Sequence, residues 1–514
     1  MSIWDPVSVS GPSESDIQSN ELMRQWIDSV APLAVSSEVS KRQRIIESLQ
    51  SLVSQWVGEN SAAQGLAGDH FGKVFTFGSF RLGLISPDSD IDALAVGPRH
   101  VTREGFFDEF PRKLVTLPGI ESIQPVPDAV APLIKLKIEG VEVDLLFAKI
   151  NVASIDPLTL TALDDDSYLK NLDEKSVRCV NGTRVADSIL RLIPDRTSFR
   201  LALRVIKYFA KKRGLYANVV GFFGGITWAL LVARVCQMYP KFCAFQLVQK
   251  FFLVFARWNW KNPVLLYPVE YREVVGLMSL KVWNPRQYAA DRSHLMPIIT
   301  PAFPCMNSTY NVTESTRNIL LSEIARAHKL FSNKSFEKSF WDELCMDPKF
   351  FHSLPLYLQL SVSGPDQEAV ARFAGFVESR IRLLIKTLQH TAGVGAVRPW
   401  PQGVIGSLGA SSWFIGLSVD PSHNTIDLRP PVSTFLEKTH EFFLEGKERE
   451  GSADLRISYL QQKNLPQVVS GKKPEISTHS GGIYAEVSAW DEVVETKEEN
   501  DVKRRRVEVE LGVE

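Results

Sequence analysis

The chain has 514 residues, 44% apolar and 23% charged, enough for about three domains of ordinary size. Its 58 basic and 59 acidic residues nearly cancel, so any affinity for nucleic acid must come from local basic surface and be salt-sensitive. The absence of long uncharged apolar runs, of a basic leader and of paired cysteine motifs around Cys179, Cys236, Cys243, Cys305 and Cys345 argues against export, membrane spanning and a zinc site.

Residues up to about 60 read as helical, because Ile45, Leu49, Leu52, Val53 and Trp56 recur at spacings of three to four. Lys73-Val-Phe-Thr-Phe77 is a predicted strand that leads into Gly78-Ser79, a loop, and then Asp90-Ile-Asp92 at the start of an apolar strand ending near Val96. Along a strand, Asp90 and Asp92 point the same way, with roots about 7 Å apart. Two such carboxylates repel by about 4 kcal/mol at a separation of about 4 Å and an effective dielectric near 20. A cation between them removes that repulsion, and oxygen ligands suit Mg²⁺, which usually shares its shell with substrate phosphates. Gly78-Ser79 would let backbone approach phosphate and add a hydroxyl donor. Taken alone, the Asp-x-Asp pattern reads first as an ordinary surface turn, and several glycosyltransferases use it too.

Phe106 to Leu117 is a predicted helix and Glu121 to Pro125 a short edge strand. Leu133 to Ile138 and Val141 to Phe147 then alternate in polarity on either side of Glu139-Gly140, which predicts a two-residue hairpin. That register pairs Ile138 with Val141, Lys137 with Glu142, and Lys135 with Asp144. Asp144 could be half of a surface ion pair, but the apolar Leu145-Leu-Phe-Ala148 after it reads as a buried strand, where an acid needs a strong reason. Three carboxylates on adjacent strands beside a Gly-Ser turn have the chemistry of two-metal phosphoryl transfer. A mixed sheet with helices on one side is the expected packing. Asp164-Asp-Asp166 reads as a solvated loop or helix start.

From Asp195 the pattern becomes helical. Arg200, Arg204, Lys207 and Lys211 form a basic stripe, Gly214 ends that helix near Tyr216 and Asn218, and Gly221-Phe-Phe-Gly-Gly225 precedes a second helix, Ile226 to Met238. A glycine-rich loop before a helix is a weak phosphate signal. The aromatic stripe Phe251, Phe252, Phe255, Trp258 and Trp260 reads as core. From about 351 the expected order is a strand (Leu354 to Ser361), a helix (Asp366 to Leu388), strands at Ser412 to Val419 and Thr425 to Leu428, a helix (Val432 to Glu445) and a strand (Leu455 to Leu460). This β-α-β-β-α-β order is the split arrangement of RNA-recognition domains, here without the aromatic strand motif that stacks bases. Beyond 465 the chain is polar and predicted disordered, with Lys503-Arg-Arg-Arg506 a basic cluster of nuclear-signal type.

Gly78-Ser79, Asp90-Ile-Asp92 and Asp144 resemble the nucleotidyltransferase signature of the DNA polymerase β superfamily. Phe77-Gly-Ser-Phe-Arg-Leu-Gly83, Val180-Asn-Gly182, Gly221-Phe-Phe-Gly-Gly225, His294-Leu-Met-Pro-Ile-Ile-Thr-Pro301 and Asn307-Ser-Thr-Tyr-Asn-Val312 extend the resemblance to the eukaryotic nuclear poly(A) polymerases, in their compact, fungal-like form. The resemblance implies an α+β multidomain fold: N-terminal helices (1–60) packing on the middle domain, a nucleotidyltransferase mixed sheet (61–194), a helical middle domain (195–350), an RNA-recognition-like domain (351–464) and a tail (465–514). It implies Asp90, Asp92 and Asp144 as catalytic ligands of two Mg²⁺ ions, with Mn²⁺ as the alternative. It further implies ATP contacts from Phe77, Gly78, Ser79, Asn181, Lys207, Tyr216, Asn218, Gly224, Gly225 and Met296, and an RNA contact from Lys135.

The implied reaction is template-independent addition of AMP from ATP to an RNA 3′ end. The implied setting is a monomer in the nucleus, working with cleavage and polyadenylation proteins and no membrane. Before Pro132 the family carries Phe-Val against the adenine, whereas this chain has Val130-Ala131, which leaves room for another nucleotide, as in uridylyl or CCA addition. A non-catalytic RNA-binding scaffold is the third reading, disfavoured by the presence of all three carboxylates.

Overall fold

The computed structural model describes residues 4–127, 129, 131–156, 158–271, 281–332, 336–405, 410–423, 426–445, 453–462, 465 and 482–483. Val130 and the Lys503–Arg506 cluster lie outside them, as does nearly all of the chain beyond 465. The described residues form two compact units, which are not consecutive in sequence. The first holds the residues up to Tyr208 with Gly225–Ser308 and Leu330–Asp342; the second holds Phe209–Gly224, Thr309–Lys329 and the residues from Glu343 on.

The first unit begins with helices α1 (Glu14–Val30) and α2 (Ser36–Ala63). A sheet region follows: β1 (Lys73–Thr76), α3 (Gly78–Leu82), β2 (Ile91–Gly97), α4 (Arg103–Asp108), α5 (Phe110–Leu114), β3 (Ile120–Val126), β4 (Leu133–Ile138) and β5 (Val141–Lys149). Helices α6 (Glu174–Leu192), α7 (Arg196–Lys212), α8 (Gly225–Met238), α9 (Ala244–Arg257) and α10 (Ala289–Arg292) come next.

The five strands lie in the order β1-β2-β5-β4-β3, with β2 and β5 parallel and every other neighbouring pair antiparallel. The hairpin register is the one read from the alternation: Ile138 opposes Val141, Lys137 opposes Glu142, and Lys135 opposes Asp144. Strands β2 and β5 are apolar on both faces, so both must be covered. One face packs on α2, α4 and α5 through Leu49, Trp56, Phe106 and Phe110. The other packs on α6 and on Trp283, Ile299 and Phe303. Helices on one side only, the sequence expectation, would have left that second apolar face wet.

The two N-terminal helices part company. Helix α1 packs on α9, and Trp26 stacks on Trp341 with ring centroids 5.4 Å apart. Helix α2 lies instead on the five-stranded sheet, because its apolar stripe faces Val74, Ala93 and Phe147. The expected helix from Phe106 to Leu117 is two short ones, since Pro111 sits at the start of α5 and cannot continue a preceding helix. Phe251, Phe252 and Phe255 are buried on α9, as core.

Helices α11 (Glu314–Leu330), α12 (Lys338–Leu344) and α13 (Phe350–Ser353) precede the second sheet. That sheet is built from β6 (Leu356–Ser363), α14 (Gln367–Glu378), α15 (Ile381–Leu388), β7 (Val394–Pro399), β8 (Val404–Ile405), β9 (Ser411–Val419), α16 (Arg429–Glu445), β10 (Asp454–Gln461) and β11 (Gly482–Ile483). Strand order β11-β10-β6-β9-β7 keeps the split β-α-β-β-α-β arrangement, with one substitution. The strand expected at Thr425 to Leu428 is absent among its described residues, and Val394–Pro399 takes the place. Gly393, Gly395 and Pro399 hid that edge strand from a pattern reading. On the face carrying Tyr357, the aromatic side chains Phe350, Phe351 and Trp400 cover one end, and a Gln359–Ser361–Ser412 hydrogen-bond cluster occupies the other. No stacking platform for bases is displayed there among the described residues.

Candidate active site

Asp92 and Asp144 are direct neighbours across the parallel β2–β5 ladder. Burial pushes the Asp92 carboxyl up to about 7, with the Asp90 and Asp144 charges raising it further and Lys207 on α7 opposing them. Asp144 is also raised by burial, while Lys135 opposite it pulls the other way and Asp90 adds to the rise. The three acids therefore share one field, with Asp90 exposed at the mouth of the loop and Asp92 and Asp144 half-buried. Among the described residues, no group of three His, Cys, Asp or Glu side chains closes around a single ion position. The carboxylates form an open set, and an ion there would need ligands from a substrate as well, as Mg²⁺ commonly does.

The turn before them is fitted to that pair. Phe77 N–H donates to the Asp92 carbonyl at 3.0 Å, and Gly78 has φ +59, a conformation that glycine adopts without penalty. A Cβ at Gly78 would lie 1.8 Å from Asp92 Oδ2. Only a hydrogen fits there, which is why a glycine stands at this point of the turn. Ser79 follows in the first turn of α3. Phe77 itself packs into the core, its ring so close to α6 that a Cβ at Gly182 would be 3.0 Å from Cδ2.

Asn181 is 8% exposed; its Nδ2 donates to the Pro304 carbonyl at 3.4 Å, and its Oδ1 has no hydrogen-bond partner. A buried acceptor left open in this way is unusual and fits a ligand donor. Gly225 begins α8. Met296, expected as an ATP contact, is fully buried.

In the second unit, Tyr216 forms a bridge with Phe223, and the Lys211 ammonium lies 5.6 Å from its ring centroid. The Asn218 carbonyl accepts from Asn311 Nδ2 at 3.1 Å while its buried Oδ1 is unpartnered. A Cβ on Gly224 would stand 3.2 Å from Asn218 Cβ, so this glycine permits the close approach.

The basic stripe on α7 divides by role. Lys207 acts on Asp92, whereas Arg204 caps the end of α1 through the Ile27 and Ala31 carbonyls and Asp28. The acidic run at 164–166 also has structural work: Asp164 pairs with Arg191, Asp165 caps a 3₁₀ turn, and Asp166 pairs with buried Arg184. One supporting residue escaped the sequence reading. Arg42, 3% exposed on α2, donates to the carbonyls of Pro87 (2.5 Å) and Ser89 (2.9 Å), and so fixes the loop that delivers Asp90. A cation inside an otherwise apolar helical stripe was the available signal.

Carboxylates from a parallel strand pair are set against a glycine turn and a lysine, and residues 3–193 match the poly(A) polymerase nucleotidyltransferase domain, so the chain carries a nucleotidyltransferase domain. Residues 198–347 match the poly(A) polymerase central domain, and 349–407 the poly(A) polymerase predicted RNA binding domain. The chain belongs to the poly(A) polymerase family. It is 40% identical over 403 residues to poly(A) polymerase PAPalpha of Candida albicans, covering 77% of this chain and 71% of that one. It is 38% identical over 481 residues to nuclear poly(A) polymerase 1 of Arabidopsis thaliana, covering 91% of this chain and 66% of that protein. With poly(A) polymerase of Dictyostelium discoideum the identity is 35% over 492 residues, 92% of this chain but only 60% of the relative. The chain thus spans about two thirds or less of the Arabidopsis and Dictyostelium relatives. Among solved structures, the Cid1 poly(U) polymerase is 14% identical with a TM-score of 0.44, over 65% of this chain and 100% of that one.

Proposed function

We propose that this chain adds AMP from ATP to the 3′ end of RNA without a template, releasing pyrophosphate. The observation that carries the proposal is the Asp92–Asp144 pairing with Asp90 in the same field, on β2 and β5 beside the Gly78-Ser79 turn. In the reaction the terminal RNA oxygen forms a bond to the α-phosphorus, and the bond to pyrophosphate breaks in line. Asp90, Asp92 and Asp144 would hold two Mg²⁺ ions, or Mn²⁺, whose chemistry is charge neutralisation on the triphosphate and a lowered proton affinity at the attacking hydroxyl. The donor set suits such ions: burial and the neighbouring carboxylates raise the proton affinity of Asp92 and of Asp144, a cost that a bound cation would relieve.

The chain's own groups would do the rest. Gly78 and Ser79 present a turn to the triphosphate, and Lys207 supplies a cation beside Asp92. Asn181 and Asn218 each offer an open buried acceptor to nucleotide hydroxyl or amine groups. Tyr216, Gly224 and Gly225 are assigned to the nucleotide by family resemblance, and Phe77 supports the turn from behind. Lys135, exposed opposite Asp144, would meet the primer end.

We further assign the chemistry to residues 61–194, with 195–350 as the helical middle domain and RNA contact or partner docking at 351–464, in a nuclear monomer that works with cleavage and polyadenylation proteins. Among the described residues no helix is long and apolar enough to cross a membrane. The test is incubation of a short oligoadenylate with Mg²⁺ and each nucleoside triphosphate singly, wild type beside Asp144→Ala. ATP should be incorporated in preference to the others, and the variant should lose incorporation by orders of magnitude while still binding RNA. Preference for UTP or CTP, or no incorporation at all by the wild type, would overturn the reading.

A further inference from the structure

Within the first unit lies a cleft of about 400 Å³, lined by four arginines (Arg81, Arg191, Arg196 and Arg200) and two acids (Asp164 and Asp187). Its volume is within the range of ligand sites. Each guanidinium is tied in place. Arg81 bonds Asp187 at 2.7 Å, Arg191 pairs with Asp164, Arg200 donates to the Leu82 carbonyl at 2.8 Å, and Arg196 donates to the Leu190 carbonyl at 3.3 Å. Both carboxylates are therefore engaged, and two positive charges remain in excess around one cleft. A guanidinium has five N–H donors in a planar fork, so each of these arginines keeps donors beyond its tie. That fork matches phosphate geometry better than any other side chain does.

The cleft also abuts the active turn. Arg81 belongs to α3, the helix that starts with Gly78 and Ser79. At the other end of α3, a Cβ on Gly83 would lie 2.7 Å from Arg200 Nε, so that arginine is seated directly against the helix end. The side chains of Arg81 and Arg191 are 42% and 52% exposed, which leaves them able to reach a ligand.

We propose that this arginine cleft binds a phosphoryl group. Two sources share that chemistry: a backbone diester of the RNA, which rests on the function proposed above, and a free polyphosphate, which does not. Occupancy would neutralise the excess positive charge that Arg81 on α3 and Arg196 and Arg200 on α7 bring to the cleft.

Arg196 is the residue to change, since it makes one backbone bond and is remote from the carboxylates in the chain. The full chain is compared with Arg196→Glu and Arg196→Lys, with melting curves to confirm folding and Arg191→Ala as the second variant. Binding of a short single-stranded RNA is measured across a salt series, and binding of tripolyphosphate by calorimetry. With the RNA backbone as ligand, Arg196→Glu weakens RNA binding about tenfold and lowers the slope of log affinity against log salt by roughly 0.7 for each phosphate no longer neutralised; Arg196→Lys stays near wild type. With free polyphosphate as ligand, tripolyphosphate binding falls in Arg196→Glu and Arg191→Ala while RNA binding is unchanged. If neither RNA nor tripolyphosphate responds to either variant, the proposal is overturned. A wild type that adds no AMP but shows either response would remove the polymerase reading and leave the cleft standing.

Discussion

Asp92 and Asp144 are register partners in the one parallel pair of a five-stranded sheet otherwise made of antiparallel neighbours, and burial, followed by the charges of Asp90 and Asp144, raises the Asp92 carboxyl to about 7. Below that pH Asp92 carries a proton that a divalent cation must displace, so cation binding weakens as the pH falls through 7 and each binding event releases a proton. Mg²⁺ titration followed by calorimetry in two buffers of different ionisation heat measures that proton directly. Asp92→Asn should remove both the pH dependence and the proton release.

The same raised carboxyl has a stability consequence of definite sign. Between its ordinary value of 3.8 and about 7, the folded chain binds the Asp92 proton more tightly than the unfolded chain does. Metal-free protein therefore loses stability from this group as the pH rises through that window, by an amount on the order of a few kcal/mol. Metal-free Asp92→Asn should melt higher than wild type at pH 8 and differ least near pH 4. Equal melting shifts at both pH values would contradict the assignment.

Gly78→Ala places a methyl 1.8 Å from Asp92 Oδ2 in a left-handed backbone conformation. Backbone strain of this kind is worth roughly 1–3 kcal/mol, while the displaced carboxylate should lower nucleotide incorporation by orders of magnitude. Single-turnover incorporation beside a chemical melt separates the two effects. The activity loss should exceed what the lost stability accounts for.

Arg42 supports Asp90 from behind the sheet. Arg42→Met keeps the stem that packs on α2 and removes the donors to Pro87 and Ser89. Each orphaned carbonyl costs about 1–3 kcal/mol, and the Asp90 loop should loosen. The expected outcome is weaker Mg²⁺ binding at unchanged RNA affinity.

In the second unit, Glu323 accepts from Arg213 Nε at 2.8 Å and Nη2 at 2.6 Å, with both side chains under 10% exposed. Burial alone would raise the Glu323 carboxyl, yet Arg213 and Arg326 hold it below its ordinary value. Glu323→Ala strands a buried guanidinium and should destabilise the chain by about 3–5 kcal/mol in urea unfolding. Glu21→Ala, which breaks the exposed Glu21–Arg24 pair on α1, should leave the urea midpoint at that of the wild type, because water screens an exposed pair.

How much of this was legible in advance varied with the range of the interaction. The Glu139-Gly140 turn fixes its hairpin register through two-residue geometry and side-chain alternation, so the Lys135–Asp144 opposition could be read directly. The Gly-Ser turn and the three acids were legible as residue types at fixed spacing. Val394–Pro399 was not, because its glycines and proline break the strand pattern and its pairing with β9 is long-range.

By itself the sequence determined the local elements, the placement of Asp92 and Asp144 on strands and the apolar stripes, since these follow from periodicities of two and 3.6 residues, whereas Asp90, read as the first strand residue, stands in the loop just before β2. Only the tertiary structure decided that β2 lies parallel to β5, that α2 covers the sheet while α1 packs on α9, and that Arg42 holds the Asp90 loop. It also drew four arginines around one cleft and buried Met296. Local spacing sets which way a side chain points, whereas what it meets depends on burial and charge contributed by residues far away in the chain.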